Sequence, residues 1–337
     1  MTTAELQHLA RGQAPFVSIY VDTRTAHRDT LVQRVAAVAD GLCVLGAPDD
    51  IVRRTTTAFL APPADRAGLA VVASSDGRTV VASSPEPFER DVGLYSRVPY
   101  LGPMIEIAQQ SITHAVVRDT EHGVPDLTVF GADGSVQTTT AAAPQRTDDV
   151  LAEVVRHDPA VVFVVGDAPT SMVTHLERMV AENRLRPDCR IEPLDEGTDD
   201  DVADAVVRHA AGVVASHKVE LLREFRFERS HGRAVDGIDA VVAAVNAGLV
   251  ATLILNADPD DHRRAIVGSE GDIVPLDGPV ASPSPAVDEV PLVDALIWAT
   301  LARGGAGAVI PTTGDGGPAD DIGALLIPRP ANGLIDR

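Results

Sequence analysis

The densest group of side chains that could bind an anion lies between positions 218 and 233. It combines one lysine, four arginines and two phenylalanines, namely Lys218, Arg223, Arg226, Arg229, Arg233, Phe225 and Phe227. Arginine pairs phosphate oxygens through two parallel N–H bonds and stacks on nucleobases, and aromatic rings stack on unpaired bases. The stretch therefore predicts a contact with RNA. Because Glu220, Glu224 and Glu228 stand among these cations, ion pairs within one helix are the alternative.

Two further places could contact RNA. The polar loop between positions 137 and 149 contains Gln145 and Arg146, and loops carry contacts on a rigid scaffold. A short connection without any contact is the alternative for that loop. Arg97 and Tyr100 form the other candidate, since a tyrosine ring stacks on an exposed base. A tyrosine that packs at a domain junction is the alternative for Tyr100.

Asp119 and Asp167 are the candidates for metal-dependent chemistry, because each follows an apolar, strand-like run. A two-metal nuclease needs several carboxylates around ions about 3.5–4 Å apart, and Glu153 or Asp158 would have to supply another. An aspartate after a strand is also an ordinary turn residue. The chain contains no Ser/His/Asp or Cys/His arrangement, no P-loop and no dinucleotide-binding glycine pattern. The sequence thus favours a protein that is not an enzyme and holds no cofactor.

Composition limits the classes of function. The 337 residues include 49 acidic and 28 basic side chains, for a formal net charge of −21. This balance argues against DNA binding and against a general electrostatic attraction to nucleic acid, but it allows local basic patches. Cys43 and Cys189 have no metal-ligand spacing and are expected to be buried thiols. No signal peptide and no apolar stretch of about 20 residues is visible, which predicts a cytoplasmic protein that does not bind a membrane.

Hydrophobic periodicity places these residues on a mixed α/β framework. The predicted strands lie at 16–21, 68–73, 78–83, 113–119, 126–130, from about 135, and at 160–165, 190–194, 251–255, 308–311 and 322–327. The predicted helices lie in 30–60, split at Gly46, and at 148–157, 170–183, 234–248 and 290–303. The longest helix begins near position 198 and shows one apolar face that ends at Phe225. Alternating helices and strands indicate layered α/β units.

Several segments carry a resemblance to a known family. They are Asn246-Ala247-Gly248-Leu249-Val250-Ala251-Thr252-Leu253-Ile254-Leu255, Leu301-Ala302-Arg303-Gly304-Gly305-Ala306 and Ile322-Gly323-Ala324-Leu325-Leu326. Their order and spacing resemble the C-terminal domain of the release factor/Pelota family. Tyr100-Leu101-Gly102-Pro103-Met104-Ile105-Glu106 is similar to the first interdomain junction in that family's bacterial branch. That branch includes actinobacterial proteins and Balon-type ribosome hibernation factors.

The resemblance implies three domains. Residues 1–110 would form an α+β N-terminal domain, residues 111–231 an RNase H-like central domain, and residues 232–337 an α/β sandwich like that of kink-turn RNA-binding proteins. The N-terminal domain faces the decoding centre in this family, which would bring Arg97 and Tyr100 near ribosomal RNA.

The family's hydrolytic tripeptide is missing. Release factors carry Gly-Gly-Gln on a central-domain loop, whereas this chain contains no Gly-Gly-Gln, and its Gln145 follows a proline. The resemblance therefore implies a non-catalytic, ribosome-associated factor that binds the A site in hibernation or stress protection. Its partners would be the ribosome, through ribosomal RNA, and elongation factor Tu. The alternatives are a peptidyl-tRNA hydrolase or metal-dependent nuclease that uses Asp119 and Asp167, and a protein-interaction module that has lost ribosome binding.

Overall fold

The computed structural model describes fourteen stretches of the chain. These are residues 1–24, 28–61, 67–84, 86–110, 112–118, 125–131, 136–139, 147–166, 170–194, 199–256, 261–268, 271–276, 289–311 and 317–328. Two compact units result: the first joins Met1–Ile107 to Val219–Arg337, and the second is Ala108–Lys218. The first unit is thus built from both ends of the sequence. The division into three domains at 110/111 and 231/232 stays a prediction.

The amino-terminal part of the first unit is an antiparallel sheet with helices. Its elements are α1 (Thr3–Ala10), β1 (Phe16–Asp22), α2 (Arg28–Val44), α3 (Asp49–Leu60), β2 (Gly68–Ser74), β3 (Thr79–Ser84), β4 (Val92–Ser96) and α4 (Gly102–Gln110), whose last three residues belong to the second unit. The strand order is β3-β2-β1-β4. Alternate residues of β1 point to opposite faces. Val17, Ile19 and Val21 share one hydrophobic core with residues of α2 and α3, while Tyr20 on the opposite face is also fully buried.

The second unit is a five-stranded mixed sheet. Its elements are β5 (His114–Arg118), β6 (Asp126–Phe130), β7 (Val136–Thr139), α5 (Thr147–His157), β8 (Val161–Val165), α6 (Thr170–Ala181), β9 (Arg190–Leu194) and the first part of α7 (Asp199–Ser230). The order is β7-β6-β5-β8-β9, with β5, β8 and β9 parallel to one another. Three strands in a meander followed by two parallel strands is the order of RNase H-like sheets. Every residue of β8 is buried, as its unbroken apolar run predicts.

Helix α7 has the single apolar face that the sequence predicts. Val202, Val206, Val213 and Phe225 are all buried. The residues up to Lys218 belong to the second unit, and those from Val219 belong to the first. The helix therefore contributes core residues to both units.

The carboxyl-terminal part of the first unit contains two sheets. Its elements are β10 (Ala234–Asp236), α8 (Ile238–Asn246), β11 (Val250–Asn256), β12 (Arg264–Val267), β13 (Ile273–Leu276), β14 (Glu289–Pro291), α9 (Leu292–Ala302), β15 (Ala306–Ile310), a 3-10 turn (Ala319–Asp321) and β16 (Ile322–Leu326). The two orders are β10-β16-β11-β15 and β13-β12-β14. The mixed α/β class predicted for the chain is confirmed.

Two predicted helices in this part are shorter than expected. The helix predicted from position 234 begins at Ile238, because Ala234–Asp236 pairs with β16. The helix predicted from position 290 begins at Leu292, because Glu289–Pro291 pairs with β12. In both cases strand pairing over a long sequence distance replaces the first helical turn.

Hydrogen bonds connect helix α9, and the residues just after it, to the N-terminal helix α1 within the first unit. The Trp298 indole nitrogen donates to the carbonyl oxygen of Ala10 at 2.9 Å. The Gln7 amide nitrogen donates to the carbonyl oxygens of Gly304 and Gly305, both at 2.9 Å. These contacts hold α1 on the end of α9. No helix in the described part of the chain is long and apolar enough to cross a membrane.

Candidate functional site

The basic stretch predicted from the sequence forms the last turns of α7 and the residues that follow it; we call residues 218–233 the α7 end. Gly232, at φ +68°, closes the helix. Its amide nitrogen donates to the Arg229 carbonyl at 3.1 Å, and the Arg233 amide donates to the Glu228 carbonyl at 2.9 Å. This pair of hydrogen bonds is a Schellman motif, in which glycine adopts the left-handed conformation at little cost. The motif turns Arg233 back toward the helix.

The two phenylalanines of the α7 end have opposite environments. Phe225 is fully buried in a core with Leu222 of the same helix and with Ile254, Ile310 and Leu325 of the sheet β10-β16-β11-β15. Its ring lies against Gly323, where an added Cβ would be 2.8 Å from Cζ of Phe225. Phe227, in contrast, is 57% exposed. Of the two rings, Phe227 is the one available to a ligand.

The Phe227 ring is paired with an imidazole. The centroids of Phe227 and His231 are 4.4 Å apart, and both side chains are exposed. The His231 Nδ1 lies 2.8 Å from the Phe227 carbonyl oxygen, which can only accept, so Nδ1 carries a proton. Hydrogen bonding thus holds the imidazole against the Phe227 ring, with an angle of 43° between the two ring planes. Because the planes are tilted, a base could stack on one exposed ring rather than on both at once.

Two arginines of the α7 end are engaged in ion pairs. Arg229 pairs with Asp236, and Arg233 pairs with Glu228, with 2.9 Å between Nη2 and Oε1. The hydrogen bond from Arg233 lowers the pKa of the Glu228 carboxyl. Both pairs connect the helix to residues beyond it, whereas the alternative considered from the sequence was ion pairs within the helix. These exposed pairs contribute little to stability.

Arg223 lies on the same side of α7 as the exposed ring. It stands four residues before Phe227 and eight before His231, a spacing that aligns side chains on one helix face. Its guanidinium is exposed and makes no hydrogen bond or ion pair within the described part of the chain. Arg226 is also exposed, and Lys218 is half-buried where the two units meet in sequence. The α7 end therefore combines the exposed Phe227–His231 ring pair with the guanidinium of Arg223, which has no partner in the described part of the chain.

Arg97 and Tyr100 are held by contacts inside the first unit. The Tyr100 amide donates to Ser18 Oγ at 3.2 Å, and its carbonyl accepts from the Tyr20 hydroxyl. The rings of Tyr20 and Tyr100 meet edge to face, 5.4 Å apart. Arg97 Nη2 donates to the carbonyl oxygen of Gly268 at 3.0 Å. Both side chains therefore make contacts within the first unit, and their contact with RNA stays a prediction.

The other predicted candidates, Gln145, Arg146, Asp119 and Asp167, lie outside the described residues. The strands that precede the two aspartates are adjacent and parallel, with Arg118 opposite Val165. In the part of the chain that the structure describes, no group of three or more His, Cys, Asp or Glu side chains could hold a metal ion.

One buried carboxyl was missed from the sequence. Asp294 is 7% exposed on α9, and burial raises its pKa to about 7, against a smaller opposing effect of Arg264. Burial raises the pKa values of Tyr20 and Tyr100, and the nearby charge of Asp294 raises both further. The signal was present in the sequence, since Asp294 is the one charged residue in an otherwise apolar helix.

The two cysteines were expected to be buried, and one of them is not. Cys43 is exposed at the end of α2, so the prediction is wrong there. Cys189 is buried, and burial raises the pKa of its thiol to about 11. A thiol with so high a pKa is a poor nucleophile at neutral pH.

Comparison with solved structures finds translation factors. The chain is similar to Archaeoglobus fulgidus Pelota, with 13% identity over 96% of this chain and 92% of that chain and a TM-score of 0.38. It is similar to S. cerevisiae Dom34, a translation termination-like factor, with 10% identity over 77% and 79% and a TM-score of 0.41. It is similar to the archaeal termination factor aRF1, with 13% identity over 96% of each chain and a TM-score of 0.25. No protein-family model matches, and no curated protein does.

Proposed function

We propose that this protein is a cytoplasmic, ribosome-associated factor that contacts ribosomal RNA through the α7 end and does not hydrolyse peptidyl-tRNA. The observation that carries the proposal is the exposed Phe227–His231 ring pair with the unpaired Arg223 on the same face. A ring exposed to this degree gains little from the fold. Stacking on an unpaired base would remove it from water.

The charge of the chain fits a ribosomal partner better than free nucleic acid. With a net charge of −21, long-range attraction to a phosphate backbone is absent. Base stacking and one or two guanidinium contacts act only at short range, after other surfaces have docked. A structured RNA with unpaired bases satisfies this requirement, because specific RNA recognition targets loops and bulges.

More specifically, we propose that the protein binds in the ribosomal A site during hibernation or stress protection, together with elongation factor Tu. The support for this is the missing Gly-Gly-Gln, which removes the family's means of peptide release, and the resemblance to the hibernation-factor branch. Among the similar structures, archaeal Pelota is ribosome-bound together with ABCE1, and Dom34 interacts with Hbs1. A ribosome together with a translational GTPase would be the corresponding partners here.

The test is co-sedimentation of the purified protein with ribosomes from stationary-phase cells, comparing wild type with Phe227→Ala. We expect the wild type to pellet with ribosomes, and the variant to bind roughly 10-fold more weakly, as expected for the loss of one stacking contact. A matched control is Val207→Ala, which removes another exposed apolar side chain, 68% exposed on the same helix.

Three outcomes separate the possibilities. Weaker binding of Phe227→Ala alone supports the α7 end as the RNA contact. Equal binding of all three proteins retains the ribosome as the partner but excludes the α7 end as the contact. Failure of the wild type to pellet with ribosomes at low and moderate salt overturns the proposal and favours the protein-interaction module.

A further inference from the structure

Beyond its first turn, helix α2 lacks the polar outer face that a surface helix normally has. Its inner residues Leu31, Val35 and Leu42 belong to the core under the sheet. Asp29 and Thr30 in the first turn are exposed and polar. The exposed positions after that turn, which we call the α2 face, are mostly apolar: Val32, Gln33, Ala36, Ala37, Asp40, Gly41, Cys43, Val44 and, just beyond the helix, Leu45. Gln33 and Asp40 are the polar side chains among them. A helix that is apolar on both sides is normally covered on both sides.

The end of the α2 face is ordered as well as apolar. Val44 is 87% exposed and Leu45 is 62% exposed. Gly46, at φ +88°, donates to the Cys43 carbonyl at 3.0 Å, and Ala47 donates to the Leu42 carbonyl at 3.0 Å. This second Schellman motif fixes the turn. The two apolar side chains are therefore presented to solvent by a hydrogen-bonded backbone.

The charges around this surface argue against RNA as its partner. Asp40 lies one turn before Val44, and Asp49 begins α3 just beyond the turn that follows. Asp50 is next in the chain and pairs with Arg54 at 3.4 Å. Asp40 and Asp49 form no ion pair with any described residue. Two carboxylates without a countercharge repel a phosphate backbone.

The same charges argue against a second copy of this chain. Pairing two α2 faces would bring their carboxylates together and join two chains of net charge −21. Like charges opposed across an interface disfavour association. A partner with positive charge around an apolar groove would instead match both features of the surface.

We propose that the α2 face binds a basic protein of the ribosome, whose apolar groove is rimmed by lysine and arginine and receives Val44 and Leu45. This inference rests on the proposed function, because it takes the ribosome as the place of binding. It adds a protein contact, distant in sequence from the RNA contact at the α7 end.

The test places the photo-crosslinking residue benzoylphenylalanine at position 37, on the α2 face, and at position 207 as a control on another exposed surface. Each protein is bound to purified ribosomes and irradiated. We expect position 37 to cross-link to a ribosomal protein. Adding Leu45→Asp should abolish that cross-link and weaken ribosome binding roughly tenfold, since burial of a leucine is lost. Val207→Asp is the matched control and should bind as wild type does.

Each result decides the inference. Cross-linking of position 37 to ribosomal RNA, to another copy of the chain, or to nothing while the protein stays ribosome-bound overturns it and leaves the proposed function standing. Unchanged binding of Leu45→Asp also overturns it, provided that circular dichroism shows the variant folded. If the wild type does not bind ribosomes, the proposed function and this inference fall together.

Discussion

Helix α9 and the α7 end each contain a side chain in surroundings opposite to its chemistry. Asp294 is an acid inside an apolar helix that the rest of the first unit covers. Phe227 is a ring left in water at the end of a helix whose previous phenylalanine, Phe225, is in the core. The acid has its effect inside the protein, on stability and its dependence on pH. The ring is expected to contribute little to the fold, which leaves it available for the proposed contact with RNA.

The largest expected effect is the difference in the free energy of unfolding between alanine variants of the two phenylalanines. Phe225→Ala should lower the free energy of unfolding by about 3–5 kcal/mol, because it leaves a cavity against Gly323. Phe227→Ala should change it by no more than about 0.5 kcal/mol. Urea unfolding of the wild type and both variants measures these values. A large loss of unfolding free energy in Phe227→Ala would show that the exposed ring stabilises the fold. The contrast drawn between Phe225 and Phe227 would then be wrong.

Substitution of Asp294 is expected to have the next largest effect on the free energy of unfolding, and its size depends on pH. The pKa of Asp294 in the folded protein, about 7, lies above its usual value of 3.8, so the folded state holds the proton more tightly than the unfolded state. Stability therefore falls as pH rises between those two values and is level above about pH 7. Asp294→Asn should remove this fall and stabilise the protein by up to about 4 kcal/mol above neutrality.

The measurement for Asp294→Asn is urea unfolding at several pH values, beside the wild type. At pH below the usual value of 3.8 the two proteins should be nearly equal, since the wild-type acid is then protonated in both states. A variant less stable than the wild type at high pH would show that the ionised carboxylate is stabilised by its neighbours, among which Arg264 carries the opposite charge.

Substitution of Arg223 is expected to have the smallest effect, and it tests whether the guanidinium of the α7 end contacts a phosphate. Arg223→Gln should weaken ribosome binding a few-fold and lower the slope of log affinity against log salt by about 1. Arg208→Gln, another exposed arginine of α7, is the matched control and should leave the slope unchanged. Equal slopes for both variants would mean that Arg223 does not contact a phosphate.

Local pattern predicted most of the framework but not its long-range pairings. The turn at Gly46, the buried strand β8 and the apolar face of α7 were all confirmed. The strand pairing of Ala234–Asp236 and Glu289–Pro291 was missed, because three-residue strands have no periodicity of their own. Their conformation is set by partners far away in the sequence.

The sequence showed where the cations cluster but not how their side chains are arranged. The sequence marked the cluster of cations from Lys218 to Arg233 as a whole. It did not separate Phe225 from Phe227, although the helical period that ends on Phe225 places Phe227 away from the buried face. Nor could it show that Asp236 neutralises Arg229, since that pair forms only after the chain turns at Gly232.

The most direct test of the central claim is cryo-electron microscopy of ribosomes from stationary-phase cells incubated with the purified protein. We predict density for the chain in the A site, with the rings of Phe227 and His231 against an unpaired base of ribosomal RNA. Ribosomes without the protein, or a bound protein whose α7 end faces solvent, would contradict it.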